Sequence, residues 1–260
     1  MPLDPENADC EDLLMNRLYG LAAPLGRRAR AAVWPRFARQ YRKSPFRASP
    51  LALRILGIAD TSYRPDFAAL ANAINKTATF EGHIVECGVF RGSTLLGMAH
   101  RLACRRLHDV TIIGCDSFQG FPAPSKEDAL EDGTFHERTR EGVYNETSYE
   151  SLLSRISALG YAQNIRILKG FFEQTLPQIA ESRFSIVHLD CDLYQSYATC
   201  LEFFYPRLLP GGYMVFDEYD VATPVYPGAK RAIDEFLVDK PEQLQRLGDS
   251  SHARCYIVKI

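Results

Sequence analysis

The sequence predicts a doubly wound α/β domain, a mostly parallel sheet with helices on both faces. Three observations predict it. Short apolar, β-branched runs recur from about residue 84 onward. Amphipathic stretches of helical period separate most of them. Several runs end in acids or glycines, at the edge where such sheets bind ligands. Near-continuous apolar strands are buried on both faces, and regular β–α alternation makes their neighbours parallel. A chain of 260 residues is long enough for one such domain with a small appendage. We divide it into an N-terminal helical extension or lid, residues 1–60, and a main domain, residues 61–260.

The elements follow in order. Residues 83–89 (HIVECGV) form the first strand and 93–107 (STLLGMAHRLACRRL) a helix. Residues 110–116 (VTIIGCD) form the second strand, 149–159 (YESLLSRISAL) a helix and 165–170 (IRILKG) the third strand. Then come strand 184–190 (FSIVHLD), helix 197–208 (YATCLEFFYPRL) and strands 212–218 (GYMVFDE) and 253–260 (ARCYIVKI). Two regions stand outside the alternation. Residues 24–47 carry eight Lys or Arg and no acid, and read as the solvated face of N-terminal helices broken at Pro35 and Pro45. The sharper alternative is a surface for an anionic partner or part of a lid. Residues 121–146 are polar with weak periodicity, and an insertion this long beside the ligand edge resembles a mobile substrate loop.

Bulk properties exclude several classes. A net charge of −2 argues against a whole-protein nucleic-acid binder. No run of eighteen apolar residues is present, so no membrane span is expected. The N-terminus is acidic and polar where a signal peptide is basic and then apolar, which places the protein in the cytoplasm. The seven cysteines (Cys10, Cys87, Cys104, Cys115, Cys191, Cys200 and Cys255) are odd in number, scattered and without a CxxC pair. They read as small buried hydrophobes in a reducing compartment.

The first strand ends in Glu86-Cys87-Gly88-Val89-Phe90-Arg91-Gly92-Ser93-Thr94 and opens directly into a helix. This acid-x-Gly-x-x-x-Gly turn differs in spacing from the GxGxxG dinucleotide fingerprint. Gly88 lets the backbone approach a ligand, and Ser93 or Thr94 can cap the helix. An acid in place of a phosphate cradle suits a ligand with an ammonium group, such as the methionine end of S-adenosylmethionine (SAM). Glycine also serves purely structural turns of this kind. Asp116, thirty residues after Glu86 and followed by Ser117 and Phe118, is placed to accept both ribose hydroxyls of a nucleoside. A helix cap is the competing reading. Gly170, Phe171 and Phe172 end the third strand, where they can line an adenine slot or belong to the core.

Asp190 and Asp192 end the fourth strand, and Asp217 and Glu218 the fifth. Four carboxylates at one sheet edge repel one another unless a cation sits among them. Asp190, Asp217 and Glu218 make a plausible Mg²⁺ triad, and Asp192, alternate in strand geometry, is free to act as general base. The competing reading makes these acids helix caps or partners of nearby Arg and Lys.

Together VECGVFRGST, GCDSFQGFP, GFFEQTLP, HLDCDLYQS, FYPRLLPGGYMVFDEY and PGAKRAIDEF resemble the macrocin O-methyltransferase (TylF/MycF-like) family over roughly residues 60–240. The resemblance implies a Rossmann-like class I methyltransferase fold, SAM and Mg²⁺ as cofactors, and methylation of a sugar hydroxyl on a small glycosylated metabolite. A homo-oligomer is compatible with it. It assigns Glu86, Gly88 and the turn Val89, Phe90, Arg91, Ser93 and Thr94 to SAM. Asp116 with Ser117 and Phe118, the Gly170–Phe172 stretch and Asp190 join the cofactor side. Asp190, Asp217 and Glu218 match the metal acids and Asp192 the base. Two departures stand out: the family usually has Asp-Asp where this chain has Asp217-Glu218, and Cys191 replaces a residue commonly Gly or Ala. The alternatives are a catechol-type metal-dependent methyltransferase or a non-catalytic nucleoside-binding protein. The former commonly has a lysine shortly after its first acid, whereas Asp192, Leu193, Tyr194 and Gln195 follow here.

Overall fold

The computed structural model describes residues 27–219, 225–247 and 254–260, so residues 1–26 of the expected extension, with Cys10, lie outside them. The strands are β1 (His83–Cys87), β2 (Ile112–Asp116), β3 (Ile165–Lys169), β4 (Phe184–Leu189), β5 (Leu208–Phe216), β6 (Gln245–Leu247) and β7 (Arg254–Val258). Among the described residues they form one seven-stranded sheet in the order β3-β2-β1-β4-β5-β7-β6. The first five in that order are parallel, and β7 runs antiparallel between β5 and β6. The chain steps outward from β1 to β3 and then crosses back to β4 on the other side of β1. The C-terminal ends of β1 and β4 therefore flank the point where strand order reverses, the place in open α/β sheets where ligands bind.

The helices are α1 (Arg27–Lys43), α2 (Pro50–Leu56), α3 (Ala68–Lys76), α4 (Ser93–Cys104), α5 (Tyr149–Leu159), the short α6 (Phe172–Thr175), α7 (Tyr194–Phe204) and α8 (Pro227–Leu237). Alternate strand residues feed two cores, as the period of two requires. Ile84, Ile112, Ile186 and Val215 pack with α1 to α5 on one face. Val85, Ile113, Val187 and Met214 pack with α7 and α8 on the other. No helix among the described residues is long and apolar enough to cross a membrane.

Some expected boundaries move. The break expected at Pro35 is absent: α1 runs through it to Lys43. An internal proline costs a helix about 3 kcal/mol, and burial of Phe37, Ala38 and Tyr41 on the following turn offsets this. The break at Pro45 is present, as a 3₁₀ turn over Pro45–Arg47. The helix expected over 197–208 lies at 194–204 instead. Pro206 has no N–H to continue the ladder, so a 3₁₀ turn follows and Leu208-Leu209-Pro210-Gly211-Gly212 joins β5.

The insertion after β2 is tied down rather than free. Its ends meet, with the Phe121 N–H bonded to the Val143 carbonyl and the Gly142 N–H to the Phe121 carbonyl, each at 3.0 Å. Asp128 is buried; its Oδ1 accepts from the Tyr194 N–H at 2.7 Å and its Oδ2 from the Ser125 N–H at 2.8 Å. One carboxylate thus fastens the insertion to the start of α7.

Candidate active site

A cleft of about 730 Å³ opens at the C-terminal ends of β1, β2, β4 and β5. Its floor depends on one close approach. The Asp190 N–H bonds the Cys87 carbonyl at 2.9 Å, which brings the Asp190 backbone against Gly88. A Cβ on Gly88 would lie 1.7 Å from the Asp190 carbonyl oxygen, and its φ of 87° is left-handed besides. Glycine is the residue this crossing admits.

Register explains what lies below the floor. Glu86 on β1 pairs with His188 on β4, and the His188 Nδ1 lies 3.2 Å from Glu86 Oε1. His188 Nε2 lies 3.7 Å from Asp217, an ion-pair separation, and Arg254 Nη2 donates to Asp217 Oδ2 at 2.8 Å. Arg254 also reaches Asp66 at 3.5 Å. Charges thus alternate from Glu86 through His188, Asp217 and Arg254 to Asp66. Burial alone would depress the His188 pKa, but Asp217 and Glu86 push it up to about 10. Burial raises the Glu86 carboxyl, partly countered by His188. For Asp217 burial also acts upward, and the contacts with His188 and Arg254 overcome it, leaving the carboxyl below its usual range.

The acids above the floor are grouped differently from the sequence expectation. Asp190, Asp192 and Glu218 each bring a carboxylate oxygen within 4.8 Å of the others. Asp217 lines the same cleft but is committed to Arg254 and His188, so the expected triad of Asp190, Asp217 and Glu218 is not the set that converges. Glu86, His188 and Asp190 also converge within 4.8 Å. His188 is already shared between Glu86 and Asp217, so that second group reads as an ion-pair cluster. In the first group burial and mutual repulsion raise every member: Asp190 to about 7, Asp192 well above its usual value, and Glu218 likewise. Uncompensated negative charge of this kind fits a hard divalent cation with oxygen ligands. Asp192 has a left-handed φ of 61°, a conformation that aspartate tolerates and that turns its side chain out of strand alternation. Tyr197, fully buried on α7, bonds Glu218 Oε2, and its hydroxyl lies 2.8 Å from the Leu189 carbonyl oxygen.

The expected cofactor residues divide. Gly88, Phe90, Asp116 and Ser117 line the cleft, as do Gly170, Phe171, Phe172 and Asp190. Glu86 lies beneath it, and its Oε2 is buried without a hydrogen-bond partner among the described residues. Val89 and Phe118 are core residues. Arg91 points outward to Glu146 at 3.5 Å. Ser93 and Thr94 begin α4 but do not cap it; the N-cap is Gly92, with no side-chain cap bond. Asp116 is busier than its position suggested. Its Oδ2 accepts from the Val89 and Phe90 N–H groups, both at 2.8 Å, and its Oδ1 from the Phe118 N–H at 2.7 Å. A carboxylate has about four acceptor positions, so this one holds the β1 turn in place and keeps a single position, on Oδ1, for a ligand.

The tied-down insertion forms the outer wall. The Tyr144 and Tyr226 hydroxyls are 2.8 Å apart, and the Phe121 ring packs edge-on against both tyrosines. All three line the cleft, as does Arg138. Sequence reasoning missed His188, Arg254, Tyr197 and this aromatic wall. For His188 a signal existed, since the period of two puts it on the face of Asp190. For Arg254, on the last strand, none did.

Comparison with known proteins decides what this arrangement belongs to. Residues 58–244 match the family described as macrocin-O-methyltransferase (TylF). The chain belongs to the TylF family. The resemblance seen in the sequence motifs is therefore borne out. Mycinamicin III 3''-O-methyltransferase of Micromonospora griseorubida is 30% identical over 157 residues, covering 60% of this chain and 60% of that protein. Demethyldecarbamoylnovobiocin O-methyltransferase of Streptomyces niveus is 31% identical over 162 residues, covering 60% of this chain and 58% of that one. The alignment thus spans somewhat under two thirds of these curated relatives. Among solved structures the O-methyltransferase NovP superposes with a TM-score of 0.61 at 26% identity, over 74% of this chain and 78% of that one. The class I methyltransferase fold of the TylF chain agrees with the expected doubly wound sheet.

Proposed function

We propose that this TylF-family protein is a SAM- and Mg²⁺-dependent O-methyltransferase acting on a sugar hydroxyl of a small glycosylated metabolite. The observation that carries the proposal is the convergence of Asp190, Asp192 and Glu218 in a cleft whose other side is the Gly88 turn. The cleft volume falls within the range of about 300–1,000 Å³ usual for small-molecule sites. For SAM, Gly88 lets the methionine end approach the floor, under which the buried Glu86 Oε2 keeps an acceptor without a partner among the described residues. Asp116 keeps one acceptor position toward the ribose, and Gly170 to Phe172 line the adenine side. For the metal, Asp190 and Glu218 are the ligands we assign, with Asp192 the third member of the group.

A divalent cation held there by Asp190 and Glu218 would make an acceptor hydroxyl more acidic. Asp192 takes the proton from the acceptor hydroxyl. Bound SAM would supply the methyl group, the new O–CH₃ bond replacing its S–CH₃ bond with S-adenosylhomocysteine as the leaving group. The Gly88 turn, Asp116 and Gly170 to Phe172 would hold the cofactor beside Asp192. Tyr144, Tyr226 and Phe121 present rings to the C–H faces of the sugar and keep water out, so most of the rate gain comes from placement. Asp217 organises the site from beneath, holding Arg254 and His188 in place. In this reading the enzyme works in the cytoplasm.

The test is methyl transfer from labelled SAM to a set of sugar-bearing metabolites, read by mass spectrometry, with and without EDTA. EDTA should abolish transfer while calorimetry shows SAM binding nearly unchanged; full turnover in excess EDTA refutes the metal role. Asp192→Asn should slow transfer with SAM still bound, and unchanged turnover removes its assignment as base.

A further inference from the structure

Glu218 carries its carboxylate on a longer, more rotatable stem than Asp190 or Asp192. Repulsion from those two acids favours rotamers that turn it away. We infer that Tyr197 is the positioning residue that holds Glu218 as a ligand for a divalent cation, an inference that rests on the cation site proposed above.

Tyr197 lies one turn into α7 with no exposed surface, its ring packed in the core beneath the site. Its hydroxyl bonds Glu218 Oε2 and also sits 2.8 Å from the carbonyl oxygen of Leu189. Leu189 is the last residue of β4, directly before Asp190. A single hydroxyl therefore touches both the strand end that presents Asp190 and the carboxylate that must meet it. Glu218 itself is 5% exposed, so little water competes with this partner. The bond commits one carboxylate oxygen and leaves the other for the ion. With a cation bound and Glu218 ionised, such a hydroxyl bond would be strong, and partners that orient metal ligands in this way are worth about 10–100-fold in metal affinity.

α7 is also fastened at its first residue, where the Tyr194 N–H bonds Asp128. The ring that holds Glu218 thus stands on a helix whose own start is fixed. The contact is built into the packed domain and needs no acceptor molecule to form.

The experiment uses Mn²⁺ alone as probe, titrated by electron paramagnetic resonance into the full chain without acceptor. The parent should bind Mn²⁺, and Tyr197→Phe should weaken that binding by about 10-fold or more with the circular dichroism spectrum retained. Glu218→Asp, whose shorter stem withdraws the carboxylate from the tyrosine, should also weaken it. In the Glu218→Asp background, adding Tyr197→Phe should change the affinity no further. A folded Tyr197→Phe protein within about twofold of the parent overturns the inference, as does an undiminished effect in the Glu218→Asp background. If Tyr197→Phe does not fold, Glu218→Asp alone decides: parental Mn²⁺ affinity in that variant overturns the inference, and weakened binding supports it. A parent that binds no Mn²⁺ overturns the cation site itself, an outcome distinct from the others.

Discussion

Replacing Gly88 by alanine tests the crossing on which the cleft is built. The added methyl would meet the Asp190 carbonyl oxygen at 1.7 Å, whereas real Cβ atoms essentially never come within 3.0 Å of such an atom. The two backbones must separate by more than 1 Å, and neither can do so freely. Gly88 is bonded through its N–H to the Cys115 carbonyl and Asp190 through its N–H to the Cys87 carbonyl, both at 2.9 Å. A left-handed φ adds about 1–2 kcal/mol for a residue with a Cβ, and forcing a methyl into packed structure adds about 1–3 kcal/mol. The sum of about 2–5 kcal/mol corresponds to a fall in Tm of roughly 5–15 °C for a chain of this size. The larger effect concerns the site, because Asp190 moves with its carbonyl. A displacement of about 1 Å in a reacting geometry costs on the order of 100-fold in rate. Differential scanning fluorimetry reads the first effect, and Mn²⁺ and SAM titrations the loss of the site. A Gly88→Ala protein melting within about 2 °C of the parent, with both affinities unchanged, would refute the reasoning.

Three further outcomes follow from other contacts. Arg254→Gln leaves the Asp217 charge without its 2.8 Å partner; the loss should be about 3 kcal/mol, read from the urea midpoint, and a shift worth less than about 1 kcal/mol would mean solvent already compensates that charge. His100 is buried beside the Tyr41 hydroxyl, with burial, countered in part by Asp60, pulling its pKa down from 6.5 to about 4. The folded state then binds fewer protons than the unfolded state between those values. Its contribution is fully present above pH 6.5 and declines as pH falls toward 4, by about 3 kcal/mol in all; denaturation at several pH values should show that decline in the parent and not in His100→Gln. Asp128→Ala removes the fastening of the insertion to α7, which should cost about 1–2 kcal/mol and speed tryptic cleavage at Arg138 and Arg140; an unchanged cleavage rate would show that the insertion is held elsewhere.

The strands were legible because a parallel sheet buried on both faces demands runs such as Ile112-Ile113 and Ile186-Val187, and few other structures use them. The acids at their ends were legible for a related reason, since a hydrophobic strand rarely stops on a carboxylate without cause. Partnership was less readable. Asp217 and Glu218 are neighbours in sequence, yet one is claimed by Arg254, 37 residues away on an antiparallel strand, and the other by Tyr197 on a helix. Nothing in the spacing of FDEY announces either. Asp116 shows the same limit, its position legible at the end of β2 but its occupation by the Val89, Phe90 and Phe118 N–H groups set by the folded turn. Pro35 fails as a break because tertiary burial outweighs local propensity.

The joined ends of the 121–143 segment have a further consequence. Because Phe121 and Val143 are already hydrogen-bonded to each other, the stretch between them is a closed loop whose closure the domain has already fixed. Lengthening such a loop is cheap, about 0.6 kcal/mol for each doubling. Its tip can therefore be exchanged or extended while the strand-end acids keep their positions. In that sense the domain pairs an acid-bearing strand edge that tolerates almost no displacement with a rim whose length is nearly free to vary.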